Sequence, residues 1–178
     1  MADTGEIAAL SARLERLEAE VDALRSADAI KSLHRRYIRY LADRKWEEMH
    51  EQFDEDVVTD ISFNGEVKGK DALKRMFDRM ATMSVTHDAY VLSSPVIVVE
   101  GDHATGEWTW HRHYCELMTR QGAAINVWGP WMEGRYKCEY RRRGGVWRFS
   151  RIWFRTVAPD PGLDDRVKAE MAAKAAKS

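Results

Sequence analysis

The sequence predicts an α+β fold in which helices pack on one face of a strongly curved, antiparallel or mixed β-sheet. Two observations support this. Apolar residues before position 46 recur at helical spacing, whereas from Val57 to Val157 they mainly alternate with polar residues, as strands require. Turn signals at Gly101-Asp102, Gln121-Gly122 and Gly144-Gly145 divide the second half into long strands, a pattern typical of an antiparallel meander.

The N-terminal segment, residues 6–25, carries the heptad pattern of a short coiled coil. Fewer than three full heptads form a marginal helix on their own, so we expect this arm to pack on its own domain or on a neighbouring subunit. Ser26 and Asp28 offer capping oxygens, which predicts a break between two helices near them. The apolar heptad residues are Ile7, Leu10, Leu14, Leu17, Val21 and Leu24.

The central helix, from Ala29 to about Asp43, has one apolar stripe along its length. Tyr37 lies in the middle of the stripe, so its ring should point inward and its hydroxyl needs a partner. A plain core role, with the hydroxyl bonded to a carbonyl, is the alternative to a catalytic one. The other stripe residues are Ile30, Leu33, Ile38 and Leu41.

The remaining elements follow from the same two periodicities. Two further helices are predicted at 46–53 and 69–83, the second with Leu73, Met76, Phe77 and Met80 turned inward. The predicted strands cover residues 57–63, 85–100, 103–119, 124–140 and 146–157.

Composition indicates one domain with two extensions: an arm at 1–26, the domain at 27–158 and a tail at 159–178. With 28 basic and 29 acidic residues, the chain has no charge excess that would favour nucleic acid. No apolar run is long enough to cross a membrane, and the acidic N-terminus lacks a signal core, so we expect a cytoplasmic protein. Cys115 and Cys138 are expected to be reduced packing residues.

Three residues form the candidate acid–base set: Tyr37, Asp43 and His87. An imidazole titrates near neutrality and can remove a proton from carbon, a carboxylate can orient it, and a phenol can donate to a developing oxyanion. His111 and His113 share one strand face and could hold a metal, but a solvated or subunit-facing surface is the better interpretation. We therefore predict no metal and no cofactor.

Several short motifs occur between residues 29 and 155. They are Ala29-Ile-Lys-Ser-Leu, Tyr37, Trp46, Phe53-Asp-Glu-Asp-Val, Gly69-Lys-Asp-Ala-Leu, Gly101-Asp-His-Ala-Thr-Gly-Glu-Trp and Gly145-Val-Trp-Arg-Phe. Together these motifs resemble the SnoaL-like branch of the nuclear transport factor 2-like superfamily, with bile-acid 7α-dehydratases the most similar members and scytalone dehydratase more distant. The resemblance implies a cone-shaped member of this fold preceded by a heptad helix.

The resemblance also implies roles for particular residues. Tyr37 matches the catalytic tyrosine of the family, and His87 matches its histidine. The family aspartate falls at Ala42 here, with Asp43 one position later. Arg112 stands where the dehydratases have a strand aspartate, and Arg155 matches their arginine near the pocket mouth.

The function implied is a cofactor-independent lyase, a dehydratase or related elimination enzyme, acting on a bulky hydrophobic aromatic or steroid-like alcohol. Alternatives are a non-catalytic module, such as the small subunit of a ring-hydroxylating dioxygenase, or an isomerase or cyclase. A homo-oligomer, dimer or trimer, is expected through the arm and the outer sheet face. The assigned catalytic residues are Tyr37, His87, Asp43 and Arg155; the assigned substrate-binding residues are Tyr40, Trp110, Arg112, Trp128 and Trp131.

Overall fold

The computed structural model describes residues 4–62, 65–81, 87–120, 123–129, 131–157, 169–170 and 172–173. Three helices and seven strands lie in these ranges. The helices are α1 (Thr4–Ala42), α2 (Trp46–His50) and α3 (Lys70–Ala81). The strands are β1 (Phe53–Ile61), β2 (Glu66–Lys68), β3 (His87–Glu100), β4 (His103–Arg120), β5 (Ala123–Trp128), β6 (Met132–Arg143) and β7 (Val146–Val157).

Helix α1 is continuous over 39 residues, so the predicted break near Ser26 and Asp28 is wrong. No glycine or proline occurs between Glu6 and Asn64 to interrupt it. Ser26 does not cap a second helix; its side chain is buried, and its hydroxyl accepts a hydrogen bond from Arg142 Nη1 at 3.3 Å. The Ser26 hydroxyl, which was predicted to cap a helix, instead bonds to a residue that is distant in sequence.

One seven-stranded sheet organises the domain, in the order β2-β1-β7-β6-β4-β3, with β5 paired to β4. The pairs β3–β4, β4–β6 and β6–β7 are antiparallel, which confirms the predicted meander. Strand β1, in contrast, runs parallel to β7. The predicted strand 124–140 is two strands, and the sequence Gly129-Pro130 stands between them, where a proline could not donate to a ladder.

The short second helix ends earlier, and the first strand starts earlier, than predicted. Phe53, expected at the end of the helix, is the first residue of β1 and is fully buried. The Phe149 amide donates to the Gln52 carbonyl at 2.9 Å, which draws the chain into the sheet beside β7. The sequence also favours a polar helix from Asp164 to Lys177 in the tail, and most of this segment lies outside the described residues; Ala169, Glu170, Ala172 and Ala173 are helical.

The hydrophobic core lies between α1 and the inner face of the sheet. Ile30, Leu33 and Tyr37 of α1 are buried there, as the stripe predicted, and α3 adds Leu73, Met76 and Phe77. Cys115 and Cys138 are buried thiols, and burial is what their expected role as packing residues requires. The sheet contributes large aromatic residues: Trp108, Trp110, Tyr136, Tyr140, Phe149 and Phe154.

Arg142 of β6 holds the middle of α1 against the domain. Its guanidinium donates to both carboxylate oxygens of Asp22 at 2.8 and 3.0 Å, while Nε donates to Asp102 at 2.6 Å. The guanidinium also stacks on the Trp147 ring at 5.3 Å. The hydrogen bond from Arg142 lowers the pKa of Asp22. A paired, stacked arginine of this kind fixes orientation as well as charge.

Replacing this arginine should loosen the arm without disturbing the core. In Arg142→Ala we expect amide exchange across residues 15–25 to become several-fold faster, because the bidentate contact to Asp22 is lost. Exchange mass spectrometry would measure this. Arg143→Ala is the matched control, since Arg143 pairs with Asp54 and Asp56 and not with the arm. Equal exchange in the two variants would contradict the assignment.

Candidate functional site

Tyr37 sits in an aromatic cage at the centre of the core. It is 2% exposed, and its ring meets Phe149 at 5.3 Å, Phe53 at 5.8 Å and Tyr136 at 6.3 Å. Its hydroxyl is hydrogen-bonded to the Tyr136 side chain, and burial raises its pKa far above the ordinary value of a phenol. Tyr37 therefore stays protonated at all ordinary pH values and can act as a donor or acid but not as a base.

His34 is another buried polar residue in this core, and no sequence motif indicated a role for it. Its Nδ1 is hydrogen-bonded to the Tyr140 hydroxyl at 3.0 Å, and that same oxygen accepts from Trp108 Nε1 at 2.9 Å. No described residue pairs with His34 Nε2. Burial lowers the pKa of His34 to about 3, so it is neutral. Its spacing from Ile30 placed it on the buried side, the one signal that the sequence carried.

A cleft opens where the last turns of α1 pass beside β3. Its volume is about 290 Å³, close to the lower end of small-molecule sites. Asp43, just beyond the C-terminal end of α1, lines the cleft together with Ala42, the position at which the resemblance places the family aspartate. The other lining residues are Arg35, Ile38, Arg39, Tyr90 and Leu92.

The floor beside this cleft is aromatic. The ring of Tyr90 packs on Trp110 at 5.5 Å, and Trp110 contacts Phe154 at 5.1 Å. Strand register pairs Arg112 with both Tyr90 and Met132, which places Arg112 on the same inner face as Trp110. The Trp110 Nε1 donor is buried and has no partner among the residues that the structure describes. An apolar wall with a few polar groups suits a flat, largely hydrophobic molecule.

His87 begins β3, and its backbone pairs with Cys115 of β4. The side chain of His87 lies outside the described residues, so its role stays a prediction. Tyr40, assigned to substrate binding, is half-buried and packs against the core from α1.

Comparison with known proteins places the chain in a family. The SnoaL-like domain model matches residues 22–152. The protein belongs to the SnoaL-like family. No curated protein matches the chain.

Solved structures agree on the fold of this SnoaL-like protein. A proposed scytalone dehydratase from Novosphingobium aromaticivorans is 22% identical, with a TM-score of 0.63, covering 76% of this chain and 86% of its own. A cystatin-like, nuclear transport factor 2-like protein from the same organism is 23% identical, with a TM-score of 0.58 and coverage of 95% and 97%. A hexachlorocyclohexane dehydrochlorinase is 18% identical, with a TM-score of 0.57 and coverage of 83% and 95%. These likenesses confirm the predicted fold class.

Arg155 of the SnoaL-like protein does not lie at the cleft. Strand alternation turns its neighbour Phe154 into the core, so Arg155 lies on the outer face of the sheet. There its guanidinium donates to the Asp60 carboxylate at 2.7 Å and stacks over Trp153 at 4.9 Å. Arg155, which the resemblance placed near the pocket mouth, therefore lies away from the cleft that Asp43 lines.

The three assigned tryptophans do not form one wall. Trp110 is buried on the inner face, whereas Trp128 and Trp131 are 53% and 62% exposed. Their rings sandwich His113 at 4.8 and 4.7 Å on the outer face. Only the first of the three is near the cleft.

The same outer face holds His111, whose Nε2 lies 3.8 Å from the Glu133 carboxylate.

Within the described ranges, no helix is long and apolar enough to span a membrane.

Proposed function

We propose that this SnoaL-like protein is a cofactor-independent lyase that eliminates water, or a related small group, from a bulky hydrophobic aromatic or steroid-like alcohol. The observation that supports it is the position of Asp43 in a cleft that has an aromatic floor, beside a helix that carries a protonated phenol, Tyr37. Two structural neighbours are named for eliminations, one a dehydratase and one a dehydrochlorinase.

The proposed chemistry divides the work among three side chains. His87 removes a proton from the carbon beside the leaving hydroxyl, and Asp43 stabilises the imidazolium that forms. Tyr37, which burial keeps protonated, donates to the departing oxygen or to an adjacent carbonyl. Arg35 and Arg39 also line the cleft and supply positive charge near Asp43. The rings of Tyr90 and Trp110 hold the apolar body of the substrate.

Activity assays of point variants test the proposal. Against a library of aryl and steroid alcohols, with products identified by mass spectrometry, we expect His87→Ala to lower kcat/KM by about 10²–10⁴-fold. Tyr37→Phe and Asp43→Asn should each lower it by at least about tenfold, since each removes one group of the set. A product that is lighter than its substrate by one water molecule identifies a lyase, whereas the product of an isomerase has the same mass as its substrate.

Matched variants separate chemistry from folding. His103→Ala removes an exposed histidine at the start of β4, and Tyr140→Phe removes another buried phenol outside the cleft. Both should retain activity near the wild-type value once the folded fraction is taken into account. Turnover unchanged in both His87→Ala and Tyr37→Phe would overturn the assignment.

A non-catalytic assembly module is the second candidate, favoured by the apolar residues that the arm leaves exposed. A dioxygenase small subunit would co-purify with a large iron-bearing chain, whereas a lyase would be active alone. The absence of a cofactor, the cytoplasmic location and the homo-oligomer stay predictions.

A further inference from the structure

The arm of α1 presents an apolar stripe that its own domain leaves uncovered. The exposed fractions of its six side chains run from 43% for Val21 to 72% for Leu24. Side chains of this kind, repeated over more than two heptads, normally mark a contact surface. The stripe consists of Ile7, Leu10, Leu14, Leu17, Val21 and Leu24.

The domain docks on the opposite side of the same helix. Ser26, Ile30 and Leu33 are buried against the sheet, and Arg142 holds Asp22 on that side. At about 100° per residue, these positions lie roughly opposite Val21 and Leu24 around the helix axis. Helix α1 therefore has two apolar stripes on opposite sides, and the sheet of the same chain can cover only one of them.

We propose that residues 6–25 form a parallel, two-stranded coiled coil with a second copy of this chain. The residue types at the seam favour this assembly. In heptad notation, Ile7, Leu14 and Val21 occupy the a positions and leucine occupies all three d positions. Two of the three a residues, Ile7 and Val21, are β-branched, and β-branched residues at a with leucine at d favour parallel pairs over trimers and tetramers.

The charges beside the seam favour the parallel orientation. In a parallel pair, Arg13 at a g position faces the partner's Glu18, and Glu20 faces the partner's Arg25. Both contacts join opposite charges and occur twice by symmetry, and the third pair, Glu6 with the partner's Ser11, has no repulsion. An antiparallel pair centred on the same stripe joins Arg13 with the partner's Glu20, also twice by symmetry, so it has half as many contacts between opposite charges. The charge pattern thus selects one orientation of one partner.

The domain leaves room for this pairing. Because the domain packs on the side of α1 away from the stripe, a partner helix on the stripe lies on the side of α1 that the domain does not occupy. The next a and d positions are Asp28 and Lys31, so the apolar seam stops where the domain begins. The domain-bound half of α1 also supplies the helical nucleus that a short isolated coiled coil lacks.

The mass in solution tests the partner. Light scattering at micromolar concentration should give the wild type a mass that halves in Leu17→Glu, with the dissociation constant raised at least about 100-fold. Ala12→Glu, which places the same charge on the opposite face of the arm, should leave the mass unchanged. Leu17 is distant from the core, so circular dichroism should show both variants folded.

Cysteine cross-linking tests the orientation. In a parallel pair, Leu10 meets its own counterpart, so Leu10→Cys should form a covalent dimer under oxidation and Ala12→Cys should not. The native Cys115 and Cys138 are 7% and 3% exposed and give little background. A wild-type monomer, a three-chain mass, or no effect of Leu17→Glu would overturn the proposal. So would cross-linking that requires Leu10→Cys together with Val21→Cys, the antiparallel contact.

Discussion

Gly134→Ala should destabilise the fold by about 3 kcal/mol, although it adds one methyl group. A Cβ at Gly134 would lie 2.5 Å from Phe154 Cζ and 2.9 Å from Trp110 Cε3, well inside van der Waals contact. Neither ring can move aside easily, because Phe154 packs at 4.5 Å on Tyr136 and at 5.1 Å on Trp110. Because Gly134 has no side chain, the rings of Phe154 and Trp110 can pack against each other on the inner face of the sheet.

Urea unfolding of Gly134→Ala shows whether the alanine lowers or raises the free energy of unfolding. Strand propensity alone predicts that alanine stabilises this position by about 0.5 kcal/mol, since glycine loses more backbone entropy on folding. Adding Phe154→Leu removes the ring edge and should recover part of the loss, so that the two changes are non-additive by about 1 kcal/mol or more. A midpoint equal to or above that of wild type would show that the rings yield freely.

The free energy of unfolding should fall as the pH is lowered from 7 to 5, because His34 is buried as a neutral side chain. The pKa of His34 is lowered to about 3 in the fold by burial, whereas an unfolded histidine titrates near 6.5. Between these values the unfolded chain binds a proton that the folded chain does not, so the stabilisation is complete above about pH 6.5 and is lost as the pH falls toward 3. From pH 7 to pH 5 the expected loss is about 2 kcal/mol. His50, whose pKa is lowered mainly by burial, adds to the loss in the same direction.

Denaturant midpoints measured from pH 7 to pH 5 check this. His34→Asn keeps a polar atom near Nδ1 for the Tyr140 hydroxyl but does not titrate, so its stability should fall less steeply, by about one proton. The variant starts about 2 kcal/mol less stable at pH 7, because it leaves a void between aromatic rings. His103→Asn, at an exposed position, should keep the wild-type slope. Identical slopes for His34→Asn and wild type would contradict the assignment.

Local patterns predicted much of the fold but not the partners of its buried polar groups. Alternation located β7 at residues 146–157, and the helical stripe placed Tyr37 in the core. The same alternation contained the signal that Arg155 faces away from Phe154, yet family resemblance outweighed it. His34 and Tyr140 are 106 residues apart in sequence, and no local pattern joins them.

The candidate site shows the same division. Asp43 comes one position after the place of the family aspartate in the sequence, and the packing of α1 on β3 brings Asp43 to the cleft. The three tryptophans assigned to substrate binding do not share one site, because residue type alone does not tell which sheet face each one occupies. Trp110 faces inward, while Trp128 and Trp131 stack on His113 outside.

The sequence by itself determined most of the helical and strand segments, where the arm has its apolar stripe, and which charges flank that stripe. These are local properties, set by residues a few positions apart on one element. Only the tertiary structure decided that the domain covers the other side of α1, that Ser26 serves Arg142 instead of capping a helix, and that His34 is buried beside Tyr140. Those contacts join residues that are distant in sequence, and strand register and sheet curvature, which no local period encodes, bring them together.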